Sequence, residues 1–216
     1  NSIAIDNTGN VYVAGTSYGG ATNFDYVIIK YNSNGIQQWA VRYNSIINSY
    51  DEAIGIVIDN SGNVYVTGAS AGNGSVSEFT TIKYDFSGMQ QWVAGYRGTG
   101  DMSSHPASIK LDASGNVYVT GSSNHIGSND NYATVKYNSN GVQQCAVQYF
   151  GVSNFQDNAY SMDVDKTGNV YVTGASWGNG TNLDYTTIKY NSNGVQQWAA
   201  RYNGSGNSTD IANSVQ

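Results

Sequence analysis

The 216-residue chain is poor in the residues that mark several large protein classes. One cysteine, Cys145, permits no internal disulfide, so this is not a disulfide-stapled scaffold. Charged residues make up 11%, with 9 Lys and Arg against 15 Asp and Glu, giving a formal charge of −6. That sign is wrong for sequence-independent binding to phosphate backbones, and no nucleic-acid partner is expected. No apolar run approaches the 18 residues needed to cross a bilayer, and no basic stretch leading into an apolar segment marks a secretion signal. The two histidines, His105 and His125, stand at unrelated places, and there is no Cys-x-x-Cys, phosphate-binding loop or nucleophile elbow. A non-enzymatic protein without cofactor or metal is therefore expected.

What the chain does contain is glycine (26), tyrosine (18) and a repeat. Gly9-Asn10-Val11-Tyr12-Val13-Ala14-Gly15 returns from Gly62, Gly115 and Gly168, each time 53 residues on, without insertion or deletion. Lys30-Tyr31, Lys83-Tyr84, Lys136-Tyr137 and Lys189-Tyr190 keep the same spacing. So do Gln37-Gln38-Trp39 and its copies, except that Cys145 replaces the tryptophan in the third. The units run at about 1–50, 51–103, 104–156 and 157–209, with 210–216 starting the next, as one domain or a section of one. Because Asn213–Gln216 repeats the positions of Asn1–Ala4, the ends overlap, which points to a slice of a longer array or a chain completed by another copy.

Within a unit, four short segments rich in β-branched and aromatic residues alternate with turn residues, the pattern of an antiparallel meander. In the second unit the strands are placed near Ala53–Ile58, Val64–Ser70, Phe79–Tyr84 and Gln91–Tyr96. Asp59-Asn60-Ser61-Gly62 and Asp85-Phe86-Ser87-Gly88 read as tight hairpins, with Asp accepting backbone N–H groups and Gly at positive φ. Strands such as Tyr185–Tyr190 carry large side chains on both faces, so each sheet is covered on both sides. Four-stranded sheets stacked face to face are propeller blades, and the fold class is an all-β propeller of four 53-residue repeats.

The run Ile-x-x-Asp-x-x-Gly-Asn-Val-Tyr-Val-Thr-Gly, followed by Asp-Tyr-x-x-x-Lys-Tyr and a Gly turn, closely resembles the bacterial seven-bladed beta-propeller (SBBP-type) repeat family. The resemblance covers all four units. It implies propeller blades in long proteins that are secreted or held at bacterial cell surfaces, and it brings no catalytic residues to transfer.

Several sets of residues invite a functional role. Tyr12, Tyr65, Tyr118 and Tyr171 are expected to pack between blades rather than to stack on a ligand. Lys30, Lys83, Lys136 and Lys189 are expected to pair with the acidic residues five positions earlier, as Asp25, Glu78 and Asp184. Asp51, Asp157 and Asp210 would line a channel open to a cation or cap the backbone. The units differ most in the links that join the second strand to the third and one blade to the next, which emerge at one end of a meander. This individual face offers Tyr18, Tyr50, Arg97, Asp101, His125, Phe155 and Trp177, with Asn23, Asn129, Ile46, Ile47 and Phe150 beside them. Exposed aromatics among Asn and Gly suit a protein or glycan partner. The leading expectation is an extracellular or cell-surface structural or adhesive module. The alternatives are self-assembly through blade-edge strands, making the chain its own partner, and a lectin-like propeller.

Overall fold

The computed structural model describes residues 1–71, 76–100, 102–126, 129–152 and 155–216. They form sixteen strands in four antiparallel sheets, each a meander in chain order. The first sheet is β1 (Ser2–Ile5), β2 (Val11–Tyr18), β3 (Phe24–Tyr31) and β4 (Gln37–Tyr43). The second is β5 (Glu52–Ile58), β6 (Val64–Ala71), β7 (Ser77–Tyr84) and β8 (Gln90–Tyr96). The third holds β9 (His105–Leu111), β10 (Val117–Asn124), β11 (Asp130–Tyr137) and β12 (Gln143–Tyr149). The fourth holds β13 (Asp157–Val164), β14 (Val170–Trp177), β15 (Leu183–Tyr190) and β16 (Gln196–Tyr202). The strands of the second sheet fall within two residues of the positions read from the sequence. The sheets are four β-propeller blades, where the family name gives seven, grouped in two compact units, Asn1–Tyr96 and Arg97–Gln216.

The hairpins repeat almost atom for atom. Asp59 Oδ1 accepts the N–H groups of Ser61 and Asn63, both at 2.9 Å, while Oδ2 accepts the Asn63 amide and the Tyr65 hydroxyl. Asp6, Asp112 and Asp165 hold their turns in the same way. This explains why Asp and Asn stand four apart. The tyrosine that follows, Tyr12 or Tyr118 for example, has a buried ring and a hydroxyl tied back to the turn, so it packs as expected. Gly62 sits at φ +81°, a backbone conformation that favours glycine.

A second glycine has a different cause. Opposite Gly68, Gly121 and Gly174 the first strand of the blade carries a bulge, with register shifts at Ala53/Gly55, Thr120/Gly121 and Ala159/Ser161. The bulged strand presses its backbone onto the glycine: a Cβ on Gly68 would stand 2.0 Å from the Glu52 carbonyl oxygen.

The lysines do not pair as expected. Residues five apart on a strand point to opposite faces, so Lys30 cannot meet Asp25. Lys30 lies between Tyr12 and Trp39 in one cross-strand row, with its ammonium 5.0 Å from the Tyr12 ring centre, and the same stacking recurs at Lys83, Lys136 and Lys189. Its Nζ also reaches the Phe86 carbonyl of the next blade at 3.5 Å, as Lys136 reaches Ser192 at 3.0 Å. Asp25 instead pairs with Arg42 at 2.7 Å, and Asp184 with Arg201 at 3.1 Å. Where Arg gives way to Gly95 the aspartate becomes the longer Glu78, and where it gives way to Gln148 the acid becomes the amide Asn131; a Cβ on Gly95 would meet Glu78.

Cys145 interrupts one such row. Trp39 donates its indole N–H to the Phe86 carbonyl at 3.2 Å, filling the step between its blade and the next. At Cys145 the equivalent place is a narrow crevice lined by Tyr118, Val147, Val170 and Gly194, with about 10 Å³ of solvent-sized space. Burial pushes the thiol pKa up, opposite to what a nucleophile needs. Cys145→Trp is expected to raise the unfolding free energy by about 1 kcal/mol, measured by urea denaturation, because it restores buried area and an N–H donor.

Candidate functional site

The variable links meet at one end of each blade, as the meander requires. Asp51 N–H donates to the Phe24 carbonyl at 2.7 Å and Asp210 N–H to that of Leu183 at 2.6 Å, tying each blade-to-blade link to the third strand of the preceding blade. The link before the third blade is tied differently: Gly100 N–H reaches Asn124 O, at the end of the second strand of the following blade, at 3.2 Å.

The carboxylates at the start of the first strand serve these links rather than a channel. Asp51 is fully buried and accepts the Ser45 N–H and the Ser70 hydroxyl, each at 2.7 Å. Asp210 Oδ2 accepts Gly204 N–H at 2.7 Å. No group of His, Cys, Asp and Glu suited to a metal ion occurs among the described residues. Asp157 differs from its two counterparts. Its Oδ1 receives the Trp177 N–H at 3.2 Å, but its buried Oδ2 has no hydrogen-bond partner. The residue equivalent to Ser45 is Gly151, turned to φ +48°. Burial raises the Asp157 pKa to about 6, against hydrogen bonds from Ser176 and Trp177 and the charge of Arg201, which act to lower it.

The residues expected on this face are brought into three separate groups. Tyr18 and Tyr50 flank Phe24, with ring centres 5.3 and 5.5 Å away. His125 stands edge-on to Phe150 at 5.1 Å and turns Nδ1 towards the Ile126 carbonyl. Phe155 and Trp177 lie against each other at 5.4 Å. Arg97 is exposed at the end of β8, and Asp101 lies outside the described residues.

The third group borders an open cleft. Phe155 and Trp177 form one wall of a recess of about 360 Å³ within the second unit, completed by Met102, Asn129, Asp130 and Gln156. Phe155 is 55% exposed and Trp177 half-buried, so flat apolar surface faces solvent. Asp130 is half-buried, its Oδ1 has no hydrogen-bond partner, and burial raises its pKa despite the opposing charge of His105. The recess thus combines aromatic planes, two amides and one carboxylate, the chemistry that stacks on a sugar ring and hydrogen-bonds its hydroxyls. Met102, Asp130 and Gln156 were not singled out from the sequence. Aligning the four copies shows how Asp130 could be found: position 24 of the unit reads Phe24, Ser77, Asp130 and Leu183, with an acid in one copy alone of an otherwise regular repeat.

Comparison with known proteins follows the fold. The chain resembles an unknown-function protein from Dyadobacter fermentans at 12% identity and a TM-score of 0.57, over 89% of this chain and 60% of that one. It resembles a Penicillium chrysogenum alpha-L-arabinanase complexed with arabinobiose at 10% identity and a TM-score of 0.63, over 98% and 68%. A polysaccharide lyase, an ulvan lyase bound to a GlcA and Rha3S saccharide, matches at 12% identity and a TM-score of 0.60, over 92% and 55%. The chain spans less than two thirds of the first of these structures and little more than half of the last. No curated protein matches the sequence. These neighbours correct the expectation of a non-enzymatic structural or adhesive module: two of the three are carbohydrate-acting enzymes, and the lectin-like alternative accords with them better. Residues 147–181 match the Beta-propeller repeat family SBBP, so the chain, built as four four-stranded blades, carries an SBBP beta-propeller repeat.

Proposed function

We propose that the chain is a carbohydrate-binding propeller whose variable-loop face holds a saccharide in the recess of Phe155 and Trp177. The observation that carries this reading is the exposed aromatic pair beside Asn129, Asp130 and Gln156 in a cleft of about 360 Å³, a size that suits one or two sugar rings. The carbohydrate-acting neighbours support it at the level of fold. Among the described residues no helix is long and apolar enough to cross a membrane, and an extracellular or cell-surface address belongs to the same proposal.

Tryptophan fluorescence tests the reading directly. Neutral and anionic oligosaccharides titrated into the protein are expected to change its emission, and Trp177→Ala is expected to weaken binding at least tenfold, as loss of a stacking anchor does. An unchanged Kd in Trp177→Ala would remove this recess as the site. Reducing-sugar release measured on the same samples separates binding from turnover. Glycoside hydrolysis by paired acids needs two carboxylates about 5 to 9.5 Å apart. Among the described lining residues Asp130 is the single acid, so binding without cleavage is the expected result.

A further inference from the structure

Two sets of equivalent repeat positions are built to opposite ends. In the first unit Phe24 packs between Tyr18 and Tyr50, so aromatic rings occupy the ground between the start of β3 and the link that follows β4. Two repeats later Phe24 becomes Asp130 and Tyr50 becomes Gln156, and the same ground lies open as the recess walled by Phe155 and Trp177. The replacement puts a carboxylate and an amide where the first unit has a hydrophobic plug.

We infer that the recess selects neutral, hydroxyl-rich saccharides over anionic ones, with Asp130 as the selecting group, an inference that rests on the carbohydrate reading above. A carboxylate accepts hydrogen bonds and donates none, so it matches sugar hydroxyls and repels uronate or sulfate groups. No Lys or Arg is among the described lining residues to offset it. Asp130 Oδ1 is buried without a hydrogen-bond partner, and the nearby His105 is the group whose charge opposes that of the carboxylate. Partial burial lowers the local dielectric, which strengthens both the attraction to hydroxyls and the repulsion of anions. Asn129 and Gln156 supply amides able to donate and accept around a sugar ring. The overall charge of −6 acts in the same direction at longer range.

The test is calorimetric titration of the full chain at pH 7 with matched neutral and uronic oligosaccharides: arabinan, galactan and mannan fragments against oligogalacturonate and oligoglucuronate. The wild type is expected to bind a neutral fragment at least tenfold more tightly than any uronate. Asp130→Asn keeps the shape and removes the charge, and should shrink that ratio to about threefold or less while weakening the neutral ligand about tenfold, the scale of a hydrogen bond to a charged group. Asp130→Phe, copying Phe24, should abolish binding of both classes, with an unchanged melting temperature reporting an intact fold. Equal wild-type affinities, or a ratio unaltered by Asp130→Asn, would overturn the selectivity inference and leave the carbohydrate reading standing. Absence of binding to every fragment would sink that reading itself.

Discussion

Gly68→Ala is expected to lower the unfolding free energy by about 3 kcal/mol, whereas Gly206→Ala, in the open segment after β16, should change it by less than about 0.5 kcal/mol. A Cβ on Gly68 would meet the Glu52 carbonyl oxygen at 2.0 Å and the Ala53 Cα at 2.8 Å. Both are backbone atoms of the bulged strand β5, and neither can move aside without breaking the ladder to β6. A Cβ on Gly174 would stand 2.0 Å from Asn158 O in the same way. A Cβ on Gly206 would meet no atom within 4 Å. Urea denaturation of the two variants side by side measures the contrast. Equal effects would mean that the bulged strand gives way and that its backbone is not what excludes a Cβ at Gly68.

Asp157→Asn is expected to stabilise the protein by about 2–3 kcal/mol at neutral pH, with the gain fading as the pH falls towards 4. The carboxyl titrates near 6 in the folded chain against an ordinary value of 3.8, so between these values the native state holds a proton that the unfolded chain releases. Wild-type stability therefore drops, through this group, as the pH rises from about 4 to 6, and above 6 the full cost of a buried, half-satisfied anion is present. The amide removes the charge and keeps an oxygen for the Trp177 N–H. The hairpin aspartates act in the reverse sense. Hydrogen bonds hold Asp59 and Asp112 below the usual carboxylate range despite burial, so their contribution is present above about 4 and lost in acid. Comparing thermal melts of wild type and variant at pH 4, 6 and 8 isolates Asp157. A constant difference across that range would refute the assignment.

Much of the scaffold could be read from residue types alone because each signal was local. Asp59 and Gly62 announce a turn that their own hydrogen bonds form, and β7 and β8 follow from runs of β-branched and aromatic residues. The errors came where a partner lay on another strand. Lys30 and Asp25 looked paired by distance along the chain, yet an odd separation places them on opposite faces, and the true partner, Arg42, sits opposite Val27 on the neighbouring strand. Gly68 was visible in every copy, but its reason, the backbone of β5, belongs to a different strand. The recess was half legible: Phe155 and Trp177 stood out as exposed aromatics, while Asp130 and Gln156 gained meaning only once two links were brought together.

The meander also sets the order in which such a chain can acquire structure. Every strand pairs with its neighbour in sequence, as Ser2 with Ala14, Val11 with Tyr31 and Tyr26 with Tyr43, so each sheet closes through short loops whose entropic cost is small. Bonds between adjacent blades span far more residues: 47 from the Trp39 indole to Phe86 O, 54 from the Tyr132 hydroxyl to Thr186 O and 56 from Lys136 Nζ to Ser192 O. Hairpin closure is thus expected to precede blade docking, which draws on the buried tyrosines and lysine stems. The links that build the recess contribute little to the early barrier, so their residues can change with small effect on folding rate while altering what the face recognises.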